Sequence, residues 1–173
     1  MDVDGLKLLI RDVPDFPKVG ILFKDITPLL ADGEALGKAA EAMADPFRNE
    51  GVTHVCGAEA RGFIFASLVA RELEAGLVPV RKAGKLPYKT HSETYALEYG
   101  TDTLEVHQDA VGPGDKVLMV DDLLATGGTM AACCRMIQAL GAEVVGCSFL
   151  IELEFLPGRE ALSGYRIETV MAF

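Results

Sequence analysis

The sequence predicts an α/β fold, a mainly parallel sheet flanked by helices, and three observations carry that expectation. From about residue 52 onward, short apolar segments alternate with helical ones. The strand candidates at 52–57, 77–80, 117–120 and 144–151 lack strict polar alternation, as strands covered on both faces do. Half of the 173 residues are hydrophobic, enough to bury a sizeable core. No repeat, low-complexity tract or linker interrupts the chain, so a single domain over 1–173 is expected, with an N-terminal appendage over 1–32.

Each element has a local reason. Residues 6–13 read as a short amphipathic helix stopped by Pro14 and Pro17, and 16–25 as a loop. Asp32 is placed to cap an Ala-rich helix over 33–44, which Pro46 bends or ends. A strand at 52–57, a helix at 61–74 and a strand at 77–80 follow. Residues 81–93 are polar, basic and irregular. Residues 94–99 and 103–107 read as two strands joined at Gly100, a hairpin rather than a crossover. Gly112-Pro113-Gly114-Asp115 then turns the chain into the strand at 117–120, a helix runs over 128–140 to Gly141, and 144–151 is another buried strand.

Composition excludes several classes. Sixteen Lys+Arg against 26 Asp+Glu give a net charge of −10, which disfavours nucleic acid or an anionic membrane as partner. Met1-Asp2-Val3-Asp4 lacks the basic start of a signal peptide, and the longest apolar stretch, 62–70, ends at Arg71. A cytoplasmic, soluble protein is expected. Cys56, Cys133, Cys134 and Cys147 form no C-x-x-C pair, and His54, His91 and His107 have no metal-ligand spacing. Four reduced, mostly buried thiols are expected rather than a zinc site or disulfides.

The chemistry concentrates in residues 117–129, Val-Leu-Met-Val-Asp-Asp-Leu-Leu-Ala-Thr-Gly-Gly-Thr. An apolar strand ends in Asp121 and Asp122, and a Thr-Gly-Gly-Thr turn opens a helix. In an open α/β sheet, ligands bind beyond the carboxyl ends of the strands. Gly127 and Gly128 permit close backbone approach, Thr126 and Thr129 supply hydroxyls, and the helix N-terminus favours an anion. Neither G-x-x-x-x-G-K-[ST] nor a post-strand G-x-G-x-x-G is present. Carboxylates repel phosphate, so hydroxyls or a hydrated Mg²⁺ must lie between them. A sugar phosphate satisfies both halves.

This segment resembles the phosphoribosyl-pyrophosphate motif of the type I phosphoribosyltransferases, most of all their adenine-using members. Four further segments match in order. Residues 14–17 with 20–28 resemble the N-terminal base-binding segment, and 59–63 a second signature. Residues 81–87 resemble the flexible loop, and Leu97-Glu98-Tyr99-Gly100 the catalytic-acid hairpin. The resemblance implies that fold, with a small base-binding hood over 1–32, and transfer of phosphoribosyl from phosphoribosyl pyrophosphate to adenine, giving AMP and pyrophosphate with Mg²⁺. It also implies roles. Ala125, Thr126, Gly127, Gly128 and Thr129 would hold the 5′-phosphate, and Asp121 and Asp122 the ribose hydroxyls in the second shell of Mg²⁺, which no residue ligates directly. Arg61, Lys85 and Tyr99 would contact pyrophosphate, base pocket or closed loop. Arg81 and Lys82 would reach the neighbouring subunit's substrate, which implies a homodimer. Phe23 would stack on the base, Leu22 and Lys24 would offer backbone groups, Leu153 would line the pocket, and Glu98 would be the general acid. Lys24 stands where many relatives have Arg, a change that a backbone role survives.

Other readings stay open. Arg81, Lys82, Lys85 and Lys89 put four of the sixteen basic residues within nine positions, where an even spread gives about 0.8. That suggests an anion site, although a solvated loop has the same composition. Glu98 read from its flanks alone is as consistent with an exposed sheet residue. A 6-oxopurine phosphoribosyltransferase is the alternative within the class. A non-enzymatic phosphoribosyl-pyrophosphate-sensing regulator is the alternative outside it, and that should carry a nucleic-acid-binding appendage.

Overall fold

The computed structural model describes residues 2–96 and 100–173. Glu98 and Tyr99, singled out above, lie outside the described residues, as does Leu97. The chain opens with α1 (Val3–Lys7), β1 (Arg11–Pro14), β2 (Leu22–Asp25), α2 (Thr27–Ala31) and α3 (Gly33–Ala44). Then come β3 (His54–Ala58), α4 (Gly62–Glu72), β4 (Gly76–Lys82), β5 (Thr90–Ala96) and β6 (Thr101–His107). The last third is β7 (Lys116–Leu124), α5 (Gly128–Ala139), β8 (Glu143–Glu152), α6 (Gly158–Ala161) and β9 (Ile167–Ala172).

Seven strands form one sheet in the order β5-β6-β4-β3-β7-β8-β9. The five from β4 to β9 in that order run parallel, and β6 and β5 extend the edge as an antiparallel hairpin. This is the α/β architecture expected, hairpin included. Both faces are covered, which explains the apolar strands. On one face Cys56, Val117, Met119 and Phe149 pack with Met130, Cys133, Met136 and Ile137 of α5. On the other, Val55, Leu118, Val120 and Leu150 pack with Met43 of α3 and with Phe65 and Val69 of α4. All four cysteines are free and buried, and burial pushes the Cys56 and Cys133 thiols well up. Among the described residues no helix is long and apolar enough to cross a membrane.

The structure corrects the N-terminal reading. The helix expected over 6–13 ends at Lys7, and Arg11–Pro14 is instead a strand paired antiparallel with Leu22–Asp25, inside the expected loop. Eight residues are too few to hold a helix by periodicity alone, and the competing partner lies about ten residues downstream. Lys24 ties this ribbon down: its ammonium meets Asp12 at 2.6 Å and lies 4.0 Å from the centre of the Phe173 ring, with Lys7 over the same ring at 4.5 Å. The α3 reading holds, with Asp32 accepting from the Glu34 and Ala35 N–H groups. The irregular stretch expected over 81–93 shrinks to residues 83–89, because β4 runs on to Lys82 and β5 starts at Thr90. Both α2 and β9 went unread.

Helix α4 seats closely because glycine faces it. A Cβ at Gly57 would stand 2.6 Å from the Ala66 Cβ and 3.0 Å from the Gly62 carbonyl oxygen. Gly57→Ala is therefore expected to lower stability by about 1–3 kcal/mol through overpacking. Gly37, exposed on α3 with nothing within 4 Å of a Cβ, provides the opposite case: Gly37→Ala should gain about 0.5–1 kcal/mol. Thermal and urea unfolding of both variants checks this, and a Gly57→Ala protein as stable as the parent would refute the close seating.

Candidate active site

Strand β7 delivers Asp121 and Asp122 at its carboxyl end, and the chain then turns through residues 125–127 into α5. Asp121, residues 123–130 and Phe149 enclose a cavity of about 100 Å³. Ala125, Thr126, Gly127, Gly128 and Thr129 are thus brought together, as the motif required. Gly127 sits at φ +79, and a Cβ there would lie 2.6 Å from the Gly158 carbonyl oxygen and 2.9 Å from the Ala161 Cβ. A Cβ at Gly158 would in turn lie 2.5 Å from the Ala125 carbonyl oxygen. The loop therefore backs directly onto α6. Arg159 fixes α6 by donating to both Glu152 carboxylate oxygens at 2.6 and 2.7 Å, and Thr169 donates to the same carboxylate at 3.1 Å. These bonds from Arg159 and Thr169 hold the Glu152 pKa below its usual value. Sequence reasoning missed this buttress, and only Pro157-Gly158 marked a turn there.

The two aspartates are not equivalent. Asp122 is almost fully buried, and its carboxylate receives Arg61 Nε at 2.8 Å. Asp121 packs against Gly62, whose Cβ would stand 2.8 Å from its Oδ1, and accepts the Asp122 N–H at 2.9 Å. Desolvation, then the Asp122 charge and a hydrogen bond between the two carboxyls, push the Asp121 pKa well above the usual carboxylate range, against the pull of the Asp122 N–H and Arg61.

A second cavity, about 240 Å³, lies in the β1–β2 ribbon between Val13, Phe16, Phe23 and Asp25. Phe16 meets Phe23 edge-on at 5.2 Å, and the Arg61 guanidinium lies 5.4 Å from the Phe23 ring centre. Arg61 therefore joins the aspartates to the aromatic cavity. Of the expected base-site residues, Phe23 lines this cavity. Leu22 is exposed, and the Lys24 side chain is committed to Asp12 and Phe173. Leu153 is not part of that lining. Its N–H donates to the Leu124 carbonyl at 3.0 Å, which places it beside the anion loop.

Two members of the basic cluster, Arg81 and Lys82, are paired within the fold. Arg81 Nε donates to Glu59 at 2.9 Å and its Nη1 to the Lys85 carbonyl at 3.1 Å, while Lys82 faces Asp102 at 3.2 Å. Lys85 and Lys89 are exposed. Strand β5 lies along α5, where Glu93 accepts from Arg135 at 2.7 Å and the Tyr95 hydroxyl meets the Thr129 hydroxyl at 3.1 Å.

Residues 26–159 match the family described as phosphoribosyl transferase domain. The adenine phosphoribosyltransferase of Methylococcus capsulatus is 57% identical over 99% of this chain and 100% of its own. The crystal structure of adenine phosphoribosyltransferase from Rhodothermus marinus superposes with a TM-score of 0.93 at 53% identity, covering 99% of this chain and 98% of that one. The Saccharomyces cerevisiae enzyme, solved with adenine and D-2,5-dideoxy-2,5-imino-altritol 1,6-bisphosphate, gives 0.92 at 37% identity, covering 98% of each chain.

The Asp121 environment sets a pH dependence. In the unfolded chain an aspartate ionises near about 3.9, whereas in the folded chain Asp121 keeps its proton to higher pH. Its contribution to stability is therefore present at low pH and lost as pH rises through that window. Asp121→Asn should match the parent's melting temperature near pH 3 to 4 and exceed it increasingly towards pH 8. A difference that stays flat across this series would contradict the crowding of the pair.

Proposed function

Since the chain belongs to the phosphoribosyl transferase family, we propose that it transfers the 5-phosphoribosyl group from phosphoribosyl pyrophosphate to adenine, forming AMP and pyrophosphate. The observation that carries this reading is the pairing of an anion loop with an aromatic cavity, joined by Arg61 between Asp122 and Phe23. One ligand with a phosphate, a sugar and a flat base needs those three environments side by side. The names of full-length relatives support adenine as the base.

In this reading the 5′-phosphate lies against residues 125–129. It takes backbone N–H groups and the Thr126 and Thr129 hydroxyls at the positive end of α5, a 12-residue helix. Asp121 and Asp122 accept from the ribose hydroxyls. The purine stacks on Phe23, with backbone groups around Leu22 to Lys24 meeting its amino group and N1, and Leu153 closes the side next to the loop. The donor set suits a pyrophosphate-borne Mg²⁺, since two strand-end carboxylates suit a largely hydrated ion. Held beside these aspartates, Mg²⁺ would supply neutralisation of the pyrophosphate charge. Arg61, Lys85 and Tyr99 contact the pyrophosphate, the base pocket or the closed loop. In the homodimer, Arg81 and Lys82 exchange Glu59 and Asp102 for the neighbouring substrate. The substrates are free metabolites, and the cytoplasm is the place of work.

The reaction breaks the anomeric C–O bond to pyrophosphate and forms the bond to N9. Positive charge grows on the sugar, so catalysis rests on positioning and on stabilising the leaving group. Glu98 exchanges the purine N7 proton, accepting it as AMP forms and acting as general acid in the reverse direction.

Two measurements test this. With phosphoribosyl pyrophosphate and Mg²⁺, nucleotide formation from adenine should exceed that from hypoxanthine or guanine by at least about 100-fold in kcat/KM; equal turnover of a 6-oxopurine would remove adenine from the reading. In single-turnover AMP formation, the rate should fall from parent to Glu98→Gln to Glu98→Leu, with a total loss of about 10²–10⁴-fold. A near-parental chemical step in a folded Glu98→Leu protein would leave that carboxyl without a role.

A further inference from the structure

We propose that Tyr95 is a positioning residue for the anion loop: its phenol holds the Thr129 hydroxyl as a donor directed at bound phosphate. The inference rests on reading residues 125–129 as the 5′-phosphate site. Tyr95 belongs to the edge hairpin, outside the motif and the sheet core, yet its oxygen stands 3.1 Å from Thr129 Oγ1.

The contact is built. Tyr95 is half-buried against the apolar face that α5 contributes to. Glu93, two residues earlier on the same side of β5, is fastened to Arg135 of α5 at 2.7 Å. At the first turn of α5, a Cβ on Gly128 would stand 3.9 Å from both the Ala96 carbonyl oxygen and Tyr95 Cδ2. The strand therefore lies across the opening of the helix at van der Waals distance, and the phenol oxygen is fixed beside Thr129, which lines the cavity.

Two hydroxyls can share one hydrogen bond in either direction, but a phosphate dianion fixes which. It accepts only, so Thr129 must spend its proton on the ligand and take another from elsewhere. Tyr95 is the donor in place to supply that bond. A phenol donating to Thr129 Oγ1 also polarises the Thr129 O–H towards the anion, as linked hydrogen bonds do.

Tyr95→Phe removes one oxygen and keeps the ring. Calorimetry with ribose 5-phosphate and AMP should show binding weakened roughly ten-fold, the scale of a hydrogen bond to a charged ligand. KM for phosphoribosyl pyrophosphate should rise by a similar factor while KM for adenine stays put, a split that loosened packing would not produce. In a Thr129→Val background the same change should cost nothing further, because its target hydroxyl is gone. Binding is measured well below each variant's melting midpoint, so altered stability does not enter. A parent protein that binds neither ribose 5-phosphate nor AMP overturns the phosphate-site reading itself. A parent that binds them alongside an unchanged Tyr95→Phe protein overturns the role of Tyr95 alone, as does a loss that persists undiminished in the Thr129→Val background.

Discussion

Backbone pressed against backbone at Gly127 and Gly158 is the constraint on which the site depends. Neither residue can carry a Cβ without striking the other segment's main chain, at 2.6 Å from the Gly158 carbonyl oxygen in one direction and 2.5 Å from that of Ala125 in the other. Residues 125–127 thereby have a filled rear, with the Ala125 carbonyl turned towards α6. A four-residue helix such as α6 cannot hold itself together in water. It is held by the forked Arg159–Glu152 pair, and Thr169 links the same carboxylate to β9. The loop is therefore as firm as the far edge of the sheet.

What the sequence discloses follows from how local each cause is. The anion loop was legible because strand end, carboxylates, glycines and helix start are consecutive, so their juxtaposition needs no folding. The helix over 33–44 was legible for the same reason, with Asp32 directly before it. The β1–β2 ribbon was not: Val13 meets Phe23 across the pair, and nothing near Val13 signals that partner. Glu152, Arg159 and Thr169 lie on three elements and meet only in the folded chain. The basic cluster was visible as a cluster, but its pairing with Glu59 and Asp102 joins strands that are remote in sequence. Tyr95 lies within an expected strand, and its contact with Thr129 arises only where the hairpin folds over α5.

The acidic pair shows how a site can be held ready at a cost to the fold. Asp122 is satisfied by Arg61, while Asp121 is crowded by Asp122 and by Gly62. Groups arranged for a ligand rather than for each other are a common source of the tension between stability and activity. Arg61 is the hinge of that arrangement, since the same guanidinium compensates one carboxylate and covers one face of the Phe23 ring. Its position follows from the close seating of α4 on β3, which glycine at 57 permits.

The β1–β2 ribbon is a separate two-stranded sheet, fastened to the body through Lys7, Lys24 and Phe173 rather than through the main ladder. Heritable variation in the ribbon therefore reaches the body at few points, Arg61 over Phe23 among them. Changes at Val13 or Phe16 reshape the aromatic cavity without touching the main ladder, whereas a change at Phe23 also removes the ring beneath Arg61. Changes at Gly127 or Gly158 strike main chain directly. Such partition lets a lineage reshape one short ribbon by drift while the seven-stranded sheet is inherited intact.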